Sequence, residues 1–283
     1  MGLQLRPPHF FSRVVARRAN AALVEPALEI QGNGGLALKI VDGRVQGVRG
    51  ALSPRYELVN YFGENGHVCI NADLASGTEA TREPCDRNFE VLGVNHTSAL
   101  VTYDPGGGLL LTTNTADLDA MIVLPHLDTK QTAWAGTLWG TEDQVEWNAV
   151  IVVRDIVKAT VWAGLKLTNV SALATDDDSC YFRFLATESA FWRMNTSRAG
   201  TDTTTATAVT VADETIYHLR ISIDDARVPR FYINGTQVST SAEEVALTNN
   251  IDLIPYIGVS ANGTTPGAKA LTIVSSAISM QPK

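Results

Sequence analysis

Residues 217–238 read YHLRISIDDARVPRFYINGTQV, and this stretch decides the fold class. Apolar side chains occupy every second position from Tyr217 to Ile223, which is the period of a half-buried strand. Turn-forming residues then interrupt the pattern, the alternation resumes at Phe231, and Asn234-Gly235 provides residues that tolerate a positive φ in a tight hairpin turn. We therefore expect two consecutive hairpins with one apolar and one polar face, as in an antiparallel β-sandwich.

Similar apolar segments continue on both sides of this stretch, and turn residues separate them at fairly regular intervals. Such spacing is typical of an all-β sandwich. Candidate strands lie at 89–94, 109–113, 120–124, 146–153, 160–168, 180–185, 191–194, 205–211, 216–223, 229–233, 253–259 and 270–280. The Thr-rich run 201–210 is predicted to be an exposed or edge strand available to a neighbouring subunit, so we expect a homo-oligomer.

The N-terminus differs in charge from the rest of the chain. The 283 residues carry a net charge of −8, yet no acidic residue precedes Glu25. The basic and apolar residues that we expect to contact a partner surface are Arg6, Phe10, Phe11, Arg13, Val14, Val15, Arg17 and Arg18. A basic arm on an acidic body indicates that the arm meets a partner. We predict a short helix over 9–23, with apolar residues at three- and four-residue spacing.

These features divide the chain into three parts. Residues 1–28 form the basic N-terminal arm. Residues 29–85 form a glycine-rich extension or small β-subdomain, with strand-like segments at 36–41 and 56–62. Residues 86–283 form the sandwich, because sandwiches of about 200 residues often fold as one domain.

Several classes of function are excluded at this point. The cysteines Cys69, Cys85 and Cys180 lack the spacing of a zinc site, and reduced buried thiols are favoured over a Cys69–Cys85 bridge. The acidic balance argues against a general affinity for nucleic acid. No apolar run approaches the length of a membrane helix, so we expect no membrane insertion. No pattern points to a metal ion or a cofactor, and we expect neither.

Four segments together resemble one known group. They are GGGLLLTT at 106–113, WAGL at 162–165, LRISID at 219–224 and RFYING at 230–235. In this order they are similar to the concanavalin A-like (laminin G/lectin-type) sandwich domains of tailed-bacteriophage virion structural proteins. The resemblance implies a jelly-roll sandwich over 86–283 and a place on a phage capsid or tail, as a decoration or fibre component.

Polysaccharide-degrading enzymes also have this fold, so we ask whether carboxylates of this chain form a catalytic pair. The run 142–146, EDQVE, approaches the E-x-D-x-E strand motif of one sandwich glycosidase family, with Glu142, Gln144 and Glu146 on one face. However, Gln144 replaces the central carboxylate, and the segment reads more like a solvated loop. None of the five histidines pairs with a Ser or Cys in a nucleophile motif, and His218 is expected at the surface. We therefore predict no catalytic residue.

Two further groups have a functional and a structural interpretation. Asp176-Asp177-Asp178 offers calcium ligands, but three adjacent carboxylates point in different directions, and a surface turn is favoured. Among the five tryptophans, about three are expected in the core. Trp139 and Trp192 are the best candidates for exposed platforms that stack on sugar rings.

Three functions follow in order of preference. The first is a non-enzymatic virion protein that decorates the phage head, anchored by its arm to the major capsid protein or another virion protein. The second is a tail or fibre module that binds a host-surface glycan. The third is a polysaccharide-degrading enzyme.

Overall fold

The computed structural model describes residues 13–16, 28–32, 35–41, 44–47, 56–61, 89–97, 100–125, 139–168, 176–240 and 245–281, with side chains from residue 91 onward. Within these ranges the regular elements are β-strands, apart from a 3₁₀ turn at Thr141–Asp143. The chain divides into two compact units, Met1–Val59 with Ala277–Lys283, and Asn60–Ser276.

The first unit contains a four-stranded antiparallel sheet in the order β1-β2-β3-β4. Its strands are β1 (Arg13–Ala16), β2 (Leu28–Gly32), β3 (Gly35–Val41) and β4 (Arg44–Gly47). The predicted helix over 9–23 is wrong where the arm is described, because β1 pairs with β2 and places Val14 opposite Ile30. Adjacent β-branched valines favour an extended backbone over a helix. The expected strands near 36–41 and 56–62 are confirmed as β3 and β5 (Tyr56–Tyr61).

The second unit contains the predicted sandwich of two antiparallel sheets. The following strands build it: β6 (Phe89–Leu92), β7 (Val101–Tyr103), β8 (Leu109–Thr112), β9 (Ala120–Pro125), β10 (Glu146–Val153), β11 (Ala159–Lys166), β12 (Ser179–Leu185), β13 (Phe191–Arg198), β14 (Thr201–Thr210), β15 (Thr215–Ile223), β16 (Pro229–Ile233), β17 (Thr236–Gln237), β18 (Ile254–Ala261) and β19 (Ala270–Met280). The eight-stranded sheet has the order β17-β16-β15-β10-β19-β8-β7, with β5 also paired to β19. The seven-stranded sheet has the order β14-β13-β12-β11-β18-β9-β6.

The core lies between the facing sides of the two sheets. Strand pairing sets Trp147 of β10 opposite Ile221 of β15 in one sheet, and Ala163 of β11 opposite Phe182 of β12 in the other. Phe182 then meets Phe231 of the facing sheet edge-to-face, with ring centroids 5.1 Å apart. Because side chains alternate along a strand, every second residue of the seven-stranded sheet points away from this core.

The stretch that decided the fold class is confirmed in detail. The second half of β15, from Leu219 to Ile223, pairs with β16, and the alternating apolar positions from Tyr217 onward are buried while His218 is exposed. Asn234 and Gly235 have φ values of 50° and 82°, as a tight hairpin turn requires.

Candidate functional site

A cleft of about 450 Å³ opens over the outer face of the seven-stranded sheet. Strand pairing arranges its floor: Gly164 of β11 lies between Tyr181 of β12 and Tyr256 of β18, and Tyr181 lies beside Asn195 of β13. These residues alternate with core residues along their strands, so their side chains point away from the core. The side chains that define its chemistry are Trp162, Tyr181, Arg183, Asn195, Asp202 and Tyr256.

Trp162 supplies an aromatic surface in the cleft. Its ring is half-buried, and it packs edge-on against Tyr256 with ring centroids 6.2 Å apart. Both rings contact an apolar wall formed by Ala120, Ile122 and Leu124 of β9. A large aromatic ring that is fixed on one side and open on the other offers a flat apolar surface for a ligand.

Gly164 keeps the floor between the two tyrosines low. A Cβ at this position would lie 2.4 Å from the Cα and 2.5 Å from the Cβ of Tyr181. No side chain fits there without moving the neighbouring strand. The glycine therefore leaves a depression between Tyr181 and Tyr256 that a larger residue would fill.

Tyr181 and Asn195 form a polar pair in the cleft. The amide Nδ2 of Asn195 donates a hydrogen bond to the Tyr181 hydroxyl oxygen over 3.1 Å. Asn195 is only 7% exposed, and its Oδ1 accepts no hydrogen bond. Burial raises the pKa of the Tyr181 phenol, so this group stays protonated at neutral pH and keeps a hydrogen to donate. The pair thus offers one donor and one unsatisfied acceptor.

Arg183 brings a fixed positive charge to the cleft. Its guanidinium donates to Oε2 of Glu188 over 2.7 Å, and Arg193 on the next strand binds the same oxygen. Because one carboxylate bridges two guanidiniums, the arginine is held in place, and the three groups together carry one net positive charge.

A buried ion pair lies at one end of the floor. Lys166 and Asp176 are both fully buried, with Nζ and Oδ2 2.7 Å apart, and the ammonium lies 4.9 Å from the centroid of the Tyr256 ring. Burial lowers the pKa of Lys166, and the Asp176 carboxylate opposes that shift. Such a pair fixes the loop before β12 to the end of β11, because either charge alone would be costly in this environment.

The tryptophans chosen from the sequence are not exposed. Trp139 is 3% exposed, and Trp192 is completely buried. Trp192 points into the core, where it meets Phe182, Phe184 and Tyr217 edge-on. The prediction that these two residues bind carbohydrate from exposed positions is therefore wrong, because strand alternation directs Trp192 inward and Trp139 lies in a packed connection.

The carboxylate run 142–146 is not a strand motif. Thr141–Asp143 form the 3₁₀ turn, and Gln144 has a left-handed backbone with φ 52°. Glu146 belongs to the eight-stranded sheet, on the side away from the core, where it accepts from Arg220 over 3.0 Å. The loop interpretation is confirmed, although Asp143 and Glu146 are buried and not solvated as expected.

The Asp176–178 run is not a simple surface turn. Asp176 binds Lys166, Asp178 accepts from the backbone N–H of Thr248 over 3.0 Å, and Asp177 alone is exposed. The favoured turn interpretation is therefore wrong for two of the three, since their charges are satisfied internally. In the described part of the chain, no three His, Cys, Asp or Glu residues come close enough to share a metal ion.

Most of the predicted anchoring residues lie outside the described residues, namely Arg6, Phe10, Phe11, Arg17 and Arg18. Arg13, Val14 and Val15 belong to β1, of which the backbone alone is described. Partner binding by the arm stays a prediction. Among the described ranges, no helix has the length and apolarity to cross a membrane.

The cleft residues were missed by sequence reasoning, although a signal was present. In β12 the polar residues Tyr181 and Arg183 alternate with Cys180, Phe182 and Phe184. In β11, Trp162 shares the less apolar face with Thr160, Gly164 and Lys166, opposite Val161, Ala163 and Leu165. An aromatic residue on the less apolar face of a strand is the one to choose as a binding platform.

Comparisons with known proteins agree with the observed fold. Residues 139–271 match a laminin G-type family of the concanavalin A-like lectin/glucanases superfamily. No curated protein sequence matches the chain.

Solved structures give the same picture. Alginate lyase A1-II′, a member of polysaccharide lyase family 7, is 14% identical with a TM-score of 0.50, covering 70% of this chain and 96% of its own. A native glycosidic hydrolase is 10% identical with a TM-score of 0.51, covering 78% and 94%. The potassium-bound carbohydrate recognition domain of Emp46p is 8% identical with a TM-score of 0.49, covering 75% and 96%. At these identities the likeness of the lyase and the hydrolase extends to the fold alone, and the match over residues 139–271 is what identifies that fold as a concanavalin A-like sandwich.

Proposed function

We propose that this protein binds carbohydrate in the cleft over the seven-stranded sheet. The observation that carries the proposal is the position of Trp162 beside the polar pair Tyr181 and Asn195. Sugars present apolar C–H faces and rings of hydroxyl groups, so an aromatic surface beside fixed hydrogen-bonding groups matches both. The Oδ1 of Asn195 is buried and unsatisfied, so a rotation of the amide that exposes it would provide an acceptor for a ligand hydroxyl.

We favour binding without turnover. Among the described residues that line the cleft, Asp202 is the one carboxylate, whereas most glycoside hydrolysis uses a pair of carboxyl groups. Glu146, from the run 142–146 compared above with a glycosidase motif, lies in the opposite sheet and pairs with Arg220. Polysaccharides that bind should therefore gain no new chain ends on prolonged incubation, and release of oligosaccharides would contradict this part of the proposal.

A glycan array followed by calorimetry tests the binding site. An array of neutral and acidic oligosaccharides identifies a ligand, and its affinity is then measured for the wild type, Trp162→Ala and Phe191→Ala. Phe191 is a matched control, because it is 40% exposed and does not line the cleft. We expect Trp162→Ala to weaken binding at least tenfold, equivalent to about 1.4 kcal/mol. Equal affinities for all three proteins would refute the proposed site.

We also propose that the chain is a structural component of a bacteriophage particle, as a head decoration protein or a tail or fibre module. Support comes from the sequence resemblance and from the basic arm on an acidic body. In addition, β1 lies at the end of its sheet, and no described strand pairs with its outer side. An edge strand flanked by arginines suits an acidic surface of another virion protein.

Charge reversal in the arm tests this second proposal. Replacing Arg13, Arg17 and Arg18 with Glu should abolish incorporation into phage particles, as measured by the amount of protein in purified virions. The control is Arg198→Glu, which reverses an exposed charge in the sandwich. Unchanged incorporation of the triple variant would count against anchoring by the arm.

A further inference from the structure

Strand β14 is the exposed edge of the seven-stranded sheet. The sheet order ends at β14, so one side of this strand has no partner among the described strands. Seven of its ten residues are exposed, so no other described part of the chain covers it. The first six residues, 201–206, pair in regular register with β13, and the register shift comes later, between Phe191 and Arg193 of β13.

This edge lacks the devices that normally prevent pairing with another chain. Edge strands are usually short or carry lysine, proline or an early bulge. Strand β14 reads TDTTTATAVT, is ten residues long, and has Asp202 as its single charge. Threonine and valine favour extended backbone, and threonine pairs contribute favourably across antiparallel strands.

We propose that β14 pairs antiparallel with β14 of a second copy of this chain, so that the two seven-stranded sheets become one continuous sheet. A second copy of the chain is the partner that β14 fits best. When a two-fold axis relates two copies, their β14 strands run antiparallel and match each other in length and composition. With the axis at Thr204, Asp202 faces the Ala206 position of the second copy. The single negative charge therefore meets no like charge.

The pairing has a consequence for the cleft, and this consequence rests on the proposed carbohydrate binding. A two-fold axis perpendicular to the sheet keeps both outer faces on the same side. Trp162 lies in β11, three strands from the edge, so the two Trp162 positions are seven strand spacings apart, roughly 34 Å along the sheet. Two clefts on one face would engage a multivalent glycan surface together and gain avidity over a single site.

Sedimentation velocity on the full chain tests the pairing without any glycan. Three proteins are compared at about 1 to 100 μM: the wild type, Thr203→Lys/Thr205→Lys, and Thr203→Val/Thr205→Val. Positions 203 and 205 face each other across an axis at 204, so the lysine variant brings four like charges together, whereas valine keeps the β-branched shape. We expect dimers for the wild type and the valine variant, and monomers for the lysine variant. A monomeric wild type throughout, or a lysine variant as dimeric as the wild type, would overturn the proposal.

Hydrogen exchange on the wild type tests the same interface without any substitution, so a misfolded variant cannot affect the result. We expect amide exchange within 201–206 to slow as protein concentration rises through the dimerisation range. Dimerisation without slower exchange in this segment would place the interface elsewhere and overturn the proposal. On a glycan-coated surface the wild type should be retained more strongly than its affinity for a soluble oligosaccharide predicts, because two clefts bind together. If the wild type dimerises through β14 and binds no glycan, the proposed function fails while the pairing stands.

Discussion

Trp162 and Trp192 are the same type of residue in the same sheet, but their side chains lie on opposite faces of it. Trp192 is fully buried among Phe182, Phe184 and Tyr217, whereas Trp162 is half-buried in the cleft. A residue type therefore cannot identify a binding platform until its face of the strand is known.

The two tryptophans should separate stability from binding. Trp192→Ala removes a large core side chain and should lower the free energy of unfolding by about 3–5 kcal/mol. Trp192→Phe should cost much less, because it keeps the aromatic packing and the Nε1 of Trp192 has no hydrogen-bond partner in the structure. Denaturant unfolding measures both, and a stable Trp192→Ala variant with weakened glycan binding would contradict the assigned roles.

The Lys166–Asp176 ion pair gives a second residue-scale prediction. Asp176→Asn leaves the buried ammonium of Lys166 without a counter-charge and should lower the free energy of unfolding by about 3–5 kcal/mol. The double variant Lys166→Met/Asp176→Asn removes both charges and should recover part of that loss. Urea unfolding of the two variants measures the difference, and equal losses would show that the unpaired charge is not the cause.

At the scale of single elements, Arg154 connects segments that are distant in sequence. It directly follows β10 and binds Asp104 after β7, Glu214 before β15, and the Thr272 hydroxyl of β19 over 3.0 Å. Burial tends to raise the pKa of Asp104, but hydrogen bonds from Thr272 and Gly106 and the charge of Arg154 outweigh it. The pKa of Asp104 is therefore lowered from its ordinary 3.8.

This lowered pKa predicts a specific acid dependence. The stabilisation from ionised Asp104 should be complete above pH 3.8 and should be lost as pH falls through the lowered value. Asp104→Asn lacks this contribution, so its deficit in unfolding free energy should be largest near neutral pH and shrink toward pH ~2. Urea unfolding of both proteins across this range provides the measurement. A deficit that stays constant with pH would contradict the role of the Asp104 charge.

The elements differ in how far the sequence predicts them, and the differences have physical causes. Strands β10, β16 and β19 begin and end where the apolar alternation predicts. Strand β13 extends further than 191–194, because Asn195 to Arg198 are polar and continue no apolar alternation. The Thr-rich run 201–210, predicted to be an edge strand, is confirmed as β14, whereas the candidate strand 205–211 covered only its second half. The short strand β7 was missed, since three residues carry too little pattern.

The cleft itself was harder to predict than the sheets. Its residues come from six strands, and strand order decides that Asn195 lies beside Tyr181, although they are 14 positions apart in sequence. The depression at Gly164 depends on the backbone of a neighbouring strand, which no local pattern reveals. The alternation of polar and apolar residues within β12 was the feature of the cleft that the sequence does show.

At the scale of the whole molecule, the two sheets of the sandwich carry different features. The eight-stranded sheet carries the deciding hairpin and the Arg154 connections. The seven-stranded sheet carries the cleft on its outer face and the exposed edge at β14. In our account, binding, pairing between copies and avidity all originate in this second sheet.

The most direct test of carbohydrate binding in the cleft is an NMR titration of the full chain with an oligosaccharide ligand. We expect the largest chemical-shift changes at the Trp162 indole and at the Tyr181 and Asn195 amides. Changes confined to the groove around Asn148, His218 and Arg220 of the eight-stranded sheet, with the cleft signals unmoved, would contradict it.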